Sequence, residues 1–536
     1  MSSISTSASL AETLLSDNPP GEPNRESFSP TTAASAVARG SASTMSLPFC
    51  LTVTIAALPM LLFGFNTGVL NAPEKVIFPG HSVLSWSLAV SAFCVGGFAG
   101  SANAGRLADR HGRRIILLLI FVVNAAFGIL QVITPSMSIL IAARVGVGLA
   151  GGASTVLTPM YLSEIAPQAI KGSIGTLTQL ACVLGILVSI LYALPFCAED
   201  TWRAIFVPLP VVSLAGLLLG FIWLPESPRW LLLNHYNTRA DEARATIRQF
   251  RNFQHEEDEE AVEMEVLLMT NNGNTPSQSA SFEEATHQED HDDGNTEEEA
   301  QLMSFKNFAL DPENRIALVS SILFPVAQQL SGINAVFYYS TLFFDGVISN
   351  PEMGTVVAFA VNLLATVFAL LLMDKLGRKT LLSLSAGGMG VCCIFLTLSL
   401  LGILPPIITV LCVMLYISFF ELGLGSIPFF LASELIQPQF LGTVQSISMA
   451  SNWFSNFCVG LLFPLMDKHL GAYTFVPFGI VLFGTVWYAL WILPETRGKT
   501  LEMVLEELRT RQPQRIPRDE REQTALPIDN NESEVL

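Results

Sequence analysis

The sequence predicts an all-α membrane protein: twelve transmembrane helices in two six-helix bundles, with a cytoplasmic helical segment between them. Three observations carry that prediction. Of 536 residues, 51% are hydrophobic and only 14% charged, whereas soluble domains carry about 25% charge. Apolar runs long enough to cross a hydrocarbon core of about 30 Å, which takes about 20 residues, recur along the chain. The punctuation of the first six runs then returns, in the same order, in the second six.

Residues 1–47 are rich in Ser, Thr and Ala and hold no apolar run long enough for a signal-peptide core, so they read as a disordered cytoplasmic tail. The first bundle spans 48–224, with apolar runs at 48–71, 84–106, 115–133, 137–162, 172–196 and 203–224. A polar segment, 225–313, separates it from the second bundle, 314–494, whose runs lie at 314–344, 353–373, 380–402, 405–433, 441–464 and 473–494. Residues 495–536 form a second cytoplasmic tail. Within the polar segment, 226–251 mixes Arg239, Arg244 and Arg248 with Ala and Leu and reads as helical. Residues 252–301 are acidic and rich in Ser and Asn and read as disordered.

The net charge of −18 is concentrated: sixteen acids fall between 256 and 299, a stretch with no Lys or Arg. That distribution excludes a nucleic-acid partner, which needs a basic stripe against phosphates. Of the eight cysteines, six lie in apolar runs, and there is no CxxC pair or His cluster, so small core residues are expected rather than a metal site or disulfide framework. No nucleophile–base pair or phosphate loop is evident. The chain is therefore not expected to be an enzyme or to need a cofactor, and the sequence names no regulatory partner for its tails.

Orientation follows from the bases. Arg106, Arg110, Arg113 and Arg114 follow the second run, Lys171 the fourth, Arg229 the sixth, Lys375, Arg378 and Lys379 the eighth, and Arg497 and Lys499 the twelfth. All fall on one side, which the positive-inside rule makes cytoplasmic together with both termini. The duplication shows in three marks. Asp109-Arg-His-Gly112-Arg113-Arg114 recurs as Asp374-Lys-Leu-Gly377-Arg378-Lys379, Ser163-Glu164 as Ser433-Glu434, and Pro225-Glu226 as Pro494-Glu495. Parallel repeats of this kind place a substrate site between the halves near the bilayer midplane and imply transport by rocking one half against the other.

The bases cannot enter lipid cheaply, at about 2.5–3.5 kcal/mol each at mid-membrane. Arg113, Arg114 and Arg378 are therefore expected in inter-helix ion pairs with Glu164, Glu226, Glu434 and Glu495 that gate the cytoplasmic ends. Arg144, inside the fourth run, is expected to find a nearby acid. Amides stud the other runs: Gln179, Gln328, Gln329, Asn334, Asn362, Asn452 and Asn456. Amides both donate and accept, which suits a polyhydroxylated ligand, and buried polar groups need partners. On a straight helix Gln329 and Asn334 point to different faces; Gly332 between them permits a break that turns both to one cavity. Gly423, Gly425 and Pro428 do the same between Glu421 and Phe429, and Asn452 and Asn456 share a face at i and i+4. Glu421 is a carboxylate in mid-span, either a ligand contact or part of a neutral polar network.

Together these motifs resemble the sugar porter family of the major facilitator superfamily, and within it the facilitative glucose transporters. The resemblance rests on Gly64-Phe-Asn-Thr-Gly68-Val-Leu-Asn71-Ala-Pro73, the Asp109 turn, Pro159-Met-Tyr161, Gly175-Thr-Leu-Thr-Gln179, Pro225-Glu-Ser-Pro-Arg229, Gln328-Gln-Leu-Ser-Gly-Ile-Asn334-Ala-Val-Phe-Tyr338-Tyr339, Ser451-Asn-Trp453 and Pro494-Glu-Thr-Arg-Gly498, and covers about 48–502. It implies the major facilitator fold, a plasma-membrane hexose carrier working by alternating access, and the listed amides as sugar ligands. It further implies Phe420 and Trp453 against the sugar's C–H faces and Tyr338 and Tyr339 at the extracellular gate. Phe429 departs from the Trp that many members carry. Proton-coupled members usually hold Asp where this chain has Asn66, so uniport is implied. Pro325-Val-Ala327 replaces a Gln-Leu-Ser common in glucose-selective members, so fructose is an expected second substrate. A proton symporter and a non-transporting sugar sensor are the alternative readings.

Overall fold

The computed structural model describes residues 46–71, 73–167, 170–253, 259–271, 306, 308–311, 314–344, 349–373, 375–497, 499 and 501–511. Helices supply the regular structure, and there is no strand among the described residues. The first six spans are α1 (Leu47–Gly68), α2 (Val83–His111), α3 (Arg113–Val132), α4 (Met137–Ile165), α5 (Lys171–Ala193) and α6 (Pro208–Trp223). Three short helices follow, α7 (Pro228–Asn234), α8 (Tyr236–Arg251) and α9 (Glu259–Asn271). The second set comprises α10 (Arg315–Leu330), α11 (Ile333–Phe344), α12 (Pro351–Met373), α13 (Arg378–Leu400), α14 (Ile407–Leu422), α15 (Ile427–Leu435), α16 (Pro438–Leu470), α17 (Val476–Trp491) and the terminal α18 (Leu501–Arg511).

Local chemistry fixes the starts. Ser46 caps α1 by accepting the Phe49 N–H (3.2 Å), and Ser82 and Ser136 cap α2 and α4 in the same way. Proline opens α6, α7 and α16, where its missing N–H costs nothing. The outward stripe of α6, Val211, Leu214, Leu218, Phe221 and Ile222, is exposed; an apolar surface of this extent is stable only against lipid or another apolar partner.

Among the described residues, ten helices or helix runs are long and apolar enough to cross a bilayer. The predicted eleventh and twelfth runs fall on α16 and α17, which pass that test only as one pair, bent by 91°. The reasons differ: α17 has 16 residues, about 24 Å at 1.5 Å each, short of a hydrocarbon core of about 30 Å, whereas α16, with 33 residues, is long enough but is made more polar by Ser446, Ser448, Ser451, Asn452, Ser455 and Asn456. Two runs are broken as expected. Gly332, at φ +87°, separates α10 from α11, and residues 423–426 separate α14 from α15.

The sets of spans meet chiefly where α2 packs on α16 and α5 on α12, while α1 packs on α5, α2 on α4, and α13 on α14 and α17. One core cluster, including Phe49, Phe121, Leu157 and Tyr161, lies in the first set and takes in Phe250 of α8; Phe93, Cys94 and Trp453 with Phe63 and Phe457 form a small cluster on the α2–α16 seam. A space is left between the two seams.

The linker departs from expectation. Part of the stretch read as disordered is α9, held to α8 by Arg244–Glu263 (2.6 Å), Arg248–Glu259 and Arg251–Glu265. The acids there are counter-ions of the preceding arginines, which composition alone does not reveal. Residues 1–45, 272–305 and 512–536, with Asp374, lie outside the described residues.

Candidate functional site

A cavity of about 630 Å³, counting the part continuous with solvent, lies between the two sets of spans. Of the eleven residues proposed from sequence as ligands, ten line it: Gln179, Gln328, Gln329, Asn334, Phe420, Glu421, Phe429, Asn452, Trp453 and Asn456. The break at Gly332 turns Asn334 back toward Gln329, whose Oε1 accepts from Asn334 Nδ2. The second break supplies acceptors: Gln328 Nε2 donates to the free carbonyls of Leu424 (2.6 Å) and Gly425 (3.0 Å), which have left the helical ladder. Asn452 Nδ2 donates to Gln328 Oε1 (2.7 Å) and Pro325 O (2.8 Å), and its Oδ1 accepts from Gln329 Nε2 (3.2 Å). Gln328, Gln329, Asn334 and Asn452 thus form one preorganised amide network.

On the other wall Gln179 Nε2 reaches across to Glu421 Oε2 (3.3 Å). Glu421 is 1% exposed; the Thr366 hydroxyl lies within reach of its carboxylate and donates to Asn362 O (2.8 Å). Protein partners for Gln179 Oε1, Asn334 Oδ1 and Asn456 Nδ2 are not found among the described residues, so these atoms are free to meet a ligand. Trp453 is fixed edge-on against Phe63 (5.6 Å) and Phe93 (5.7 Å), a rigid apolar wall.

Asn362 is the exception. It is fully buried, neither amide atom has a partner, and it does not line the cavity. Thr355, Phe359, Asn362, Thr366 and Ala369 form the buried stripe of α12, at the i, i+4, i+7 spacing of a packed helix face. Conversely, Phe63, Thr67, Thr155, Cys182, Val183 and Ile186 of the first set line the cavity and were not singled out. Only Thr67, inside the Gly64–Pro73 motif, carried a signal.

The face opposite the basic loops is closed. Asn71, at the end of the first span, donates through Nδ2 to Phe337 O (2.6 Å) and Ser340 Oγ (2.9 Å) and accepts at Oδ1 from Thr341 N (3.2 Å) and Oγ1 (2.5 Å). All four bonds go to α11. Tyr338 Oη donates to Asn456 Oδ1 (3.1 Å) and lies 3.7 Å from Cys94 Sγ of α2. Tyr339 Oη donates to Gly460 O (3.0 Å) at a kink in α11.

The basic face carries two equivalent clusters. Arg113 pairs with Glu164 (3.0 Å) and Asp109 (3.0 Å), while Glu226 accepts from the N–H groups of Arg113 (2.8 Å), Arg114 (3.2 Å) and Ser227 (2.8 Å). Burial raises the Glu226 carboxyl above its ordinary range, against the pull of those N–H donors and of Arg113. Gly112 is required here: a Cβ would meet Glu226 Oε2 at 2.3 Å, and φ is +93°. In the second set Arg378 pairs with Glu434 (3.0 Å), and Glu495 accepts from the Arg378 N–H (2.8 Å) beside Gly377.

Two gate expectations need correction. Among the described residues the Arg114 side chain pairs with no acid; its Nη2 donates to Phe221 O (2.9 Å), while its main-chain N–H donates to Glu226. Arg144, wholly buried, donates to Ala89 O (3.3 Å) and Asn66 O (3.0 Å), with Phe93 4.8 Å from its guanidinium. Carbonyl dipoles and a ring face take the place of the expected acid. Asn66 keeps Oδ1 unpaired and donates through Nδ2 to Leu62 O (2.9 Å).

The model of the family described as "Sugar (and other) transporter" matches residues 52–508. Facilitated glucose transporter member 3 of solute carrier family 2 from Ovis aries is 35% identical over 488 residues, covering 86% of this chain and 92% of the relative. The Homo sapiens protein is 35% identical over 481 residues, covering 84% and 90%. Among solved structures, the partially occluded inward-open xylose transporter XylE from E. coli superposes with a TM-score of 0.66 at 23% identity over 84% of this chain and 99% of that one. Two punctuated sets of spans, the amide-lined space between them and a family match over most of the chain converge: this protein belongs to the sugar transporter family.

Proposed function

We propose that the protein is a facilitative hexose uniporter that works by alternating access, with glucose as substrate and fructose also accepted. The observation that carries this reading is the cavity wall: neutral amides from α5, α10, α11 and α16 converge on one space, and three of their polar atoms have no protein partner. A sugar hydroxyl both donates and accepts, so it can complete that set without the desolvation cost of binding a fixed charge. Trp453, Phe63, Phe420 and Phe429 cover its C–H faces.

Alternation follows from two closures. Asn71 and Tyr338 join the halves on the face taken here as extracellular, and their release opens the cavity outward. The clusters at Arg113 and Arg378 each lie within one half, so they brace each bundle as a body that rocks. Counting α16 and α17 as separate spans gives two six-helix bundles, with both termini and 225–313 cytoplasmic in the plasma membrane. No catalysis is assigned. Asn66 cannot titrate, which favours uniport; the buried Glu421 carboxyl is the one feature favouring a proton-coupled alternative. The test is counterflow of labelled glucose in proteoliposomes. Accumulation against trapped unlabelled glucose is expected, with fructose competing, and its absence in folded protein refutes the reading.

A further inference from the structure

The break between α10 and α11 is held by neighbouring helices. In a continuous helix the Ala335 N–H would bond the Ser331 carbonyl, four residues back. Here it donates to Gly332 O (3.0 Å), because Gly332 stands at φ +87°. Ser331 O has thus left the helical ladder, on a wholly buried residue, where an unmet carbonyl is costly. The Tyr416 hydroxyl of α14 donates to it. Tyr416 is wholly buried as well, a ring that suits an apolar span and carries one polar tip. Against the break the Phe478 ring of α17 fills the space that a side chain at Gly332 would need, with Cδ2 2.8 Å from where its Cβ would lie. Phe478 stacks on Phe463 (6.3 Å) and Phe463 on Tyr339 (5.6 Å), so this packing runs on from the break to the outer gate.

The contacts that close the outer face lie beyond the break: the acceptors of Asn71, Tyr338 and Tyr339 are all on α11. We propose that Tyr416 is a positioning residue that pins the break through its hydroxyl on Ser331 O and so favours the state with the outer face closed. The proposal deepens the alternating-access reading and rests on it. Preference for one state follows from the acceptors. In the bent form the two donors have separate carbonyls, Ser331 O for Tyr416 and Gly332 O for Ala335. Straightening as α11 swings outward returns the Ala335 N–H to Ser331 O, and the tyrosine hydroxyl then has the Cys393 thiol of α13 within reach. Removing the hydroxyl therefore leaves a buried carbonyl unmet in the bent form alone.

Tyr416→Phe removes the hydroxyl and keeps the ring. The full chain in proteoliposomes, spin-labelled at the exposed Val83 and Met353, is read by pulsed electron resonance without sugar. The longer, outward-open distance is expected to gain about tenfold over the closed one relative to wild type, the worth of one buried unmet acceptor. p-Aminophenylalanine at position 416 restores a donor and is expected to restore the wild-type ratio. Tyr488→Phe loses a contact with Ser320 Oγ (2.9 Å) away from the break and is expected to leave the ratio unchanged. The proposal is overturned if Tyr416→Phe keeps the wild-type ratio, if Tyr488→Phe shifts it equally, or if the amine does not restore it. Should folded wild type carry no glucose, the functional reading fails by itself, and the distances still decide whether Tyr416 holds the break.

Discussion

Asn71→Ala removes the clamp that closes the face opposite the basic loops. In the structure one carboxamide makes four hydrogen bonds to α11, through Phe337, Ser340 and Thr341, and the residue is 4% exposed. Neutral hydrogen bonds contribute about 1 kcal/mol each after exchange with water. Ser340 and Thr341 also meet Thr355 (3.2 and 3.1 Å), so part of the loss is recovered locally, leaving about 3 kcal/mol against the closed state. That corresponds to roughly a hundredfold shift of the closed-to-open ratio. Spin labels at Val83 and Met353, both exposed near the ends of α2 and α12, report the opening as a second, longer distance in pulsed electron resonance. Ser399→Ala is the control, since its bond to Thr409 (2.8 Å) stays within the second half. A distance distribution in Asn71→Ala that matches wild type would refute the assignment of Asn71 as the closing contact.

Three further outcomes follow from the same geometry. Glu164→Ala takes from the buried Arg113 its forked partner, leaving it Asp109 and the Ala108 carbonyl, and is expected to cost about 2–3 kcal/mol, read as a lowered Tm, whereas Glu259→Ala, which removes a half-exposed partner of Arg248, costs under about 1 kcal/mol. Asn452→Ala leaves Gln328 Oε1 and Gln329 Nε2 without their strongest partner; glucose affinity is expected to fall at least tenfold, at about 1.4 kcal/mol per decade, measured by the half-saturating concentration of uptake. Asn66→Asp puts a titratable carboxylate on the residue whose main-chain carbonyl accepts from Arg144 (3.0 Å). Uptake by that variant is expected to depend on external pH more steeply than in wild type, and identical pH profiles would contradict the view of Asn66 as the uncoupled position.

Much of the fold was legible because lipid imposes a strict length and polarity rule on every span. The breaks at Gly332 and at 423–426 could be anticipated, since glycine and proline there leave carbonyls that only a cavity or a side chain such as Gln328 can use. The amides could be found because they are expensive in an apolar run. What failed was facing and partnering. Asn362 carries the same chemical signal as Asn334, yet α12 turns it into its packed stripe, and one residue type cannot report the roll of its helix. Thr155, Val183 and Ile186 line the cavity while looking like any span residue. Arg144 invited an acid, and found carbonyls and Phe93 because close packing of α2 against α4 brings main chain within reach. The acids of α9 looked like solvated charge; their spacing against Arg244, Arg248 and Arg251 becomes meaningful only once the two helices fold back.

The central claim is that a cavity of neutral amides moves hexose down its own gradient with no coupled ion. Proteoliposomes loaded with a pH-sensitive dye, given labelled glucose with and without an imposed pH gradient, test it most directly. The account predicts uptake that stops at equal concentrations inside and out, with the same end point under either condition and no change in internal pH. Accumulation above the external concentration when the outside is acidic, accompanied by internal acidification, would contradict it.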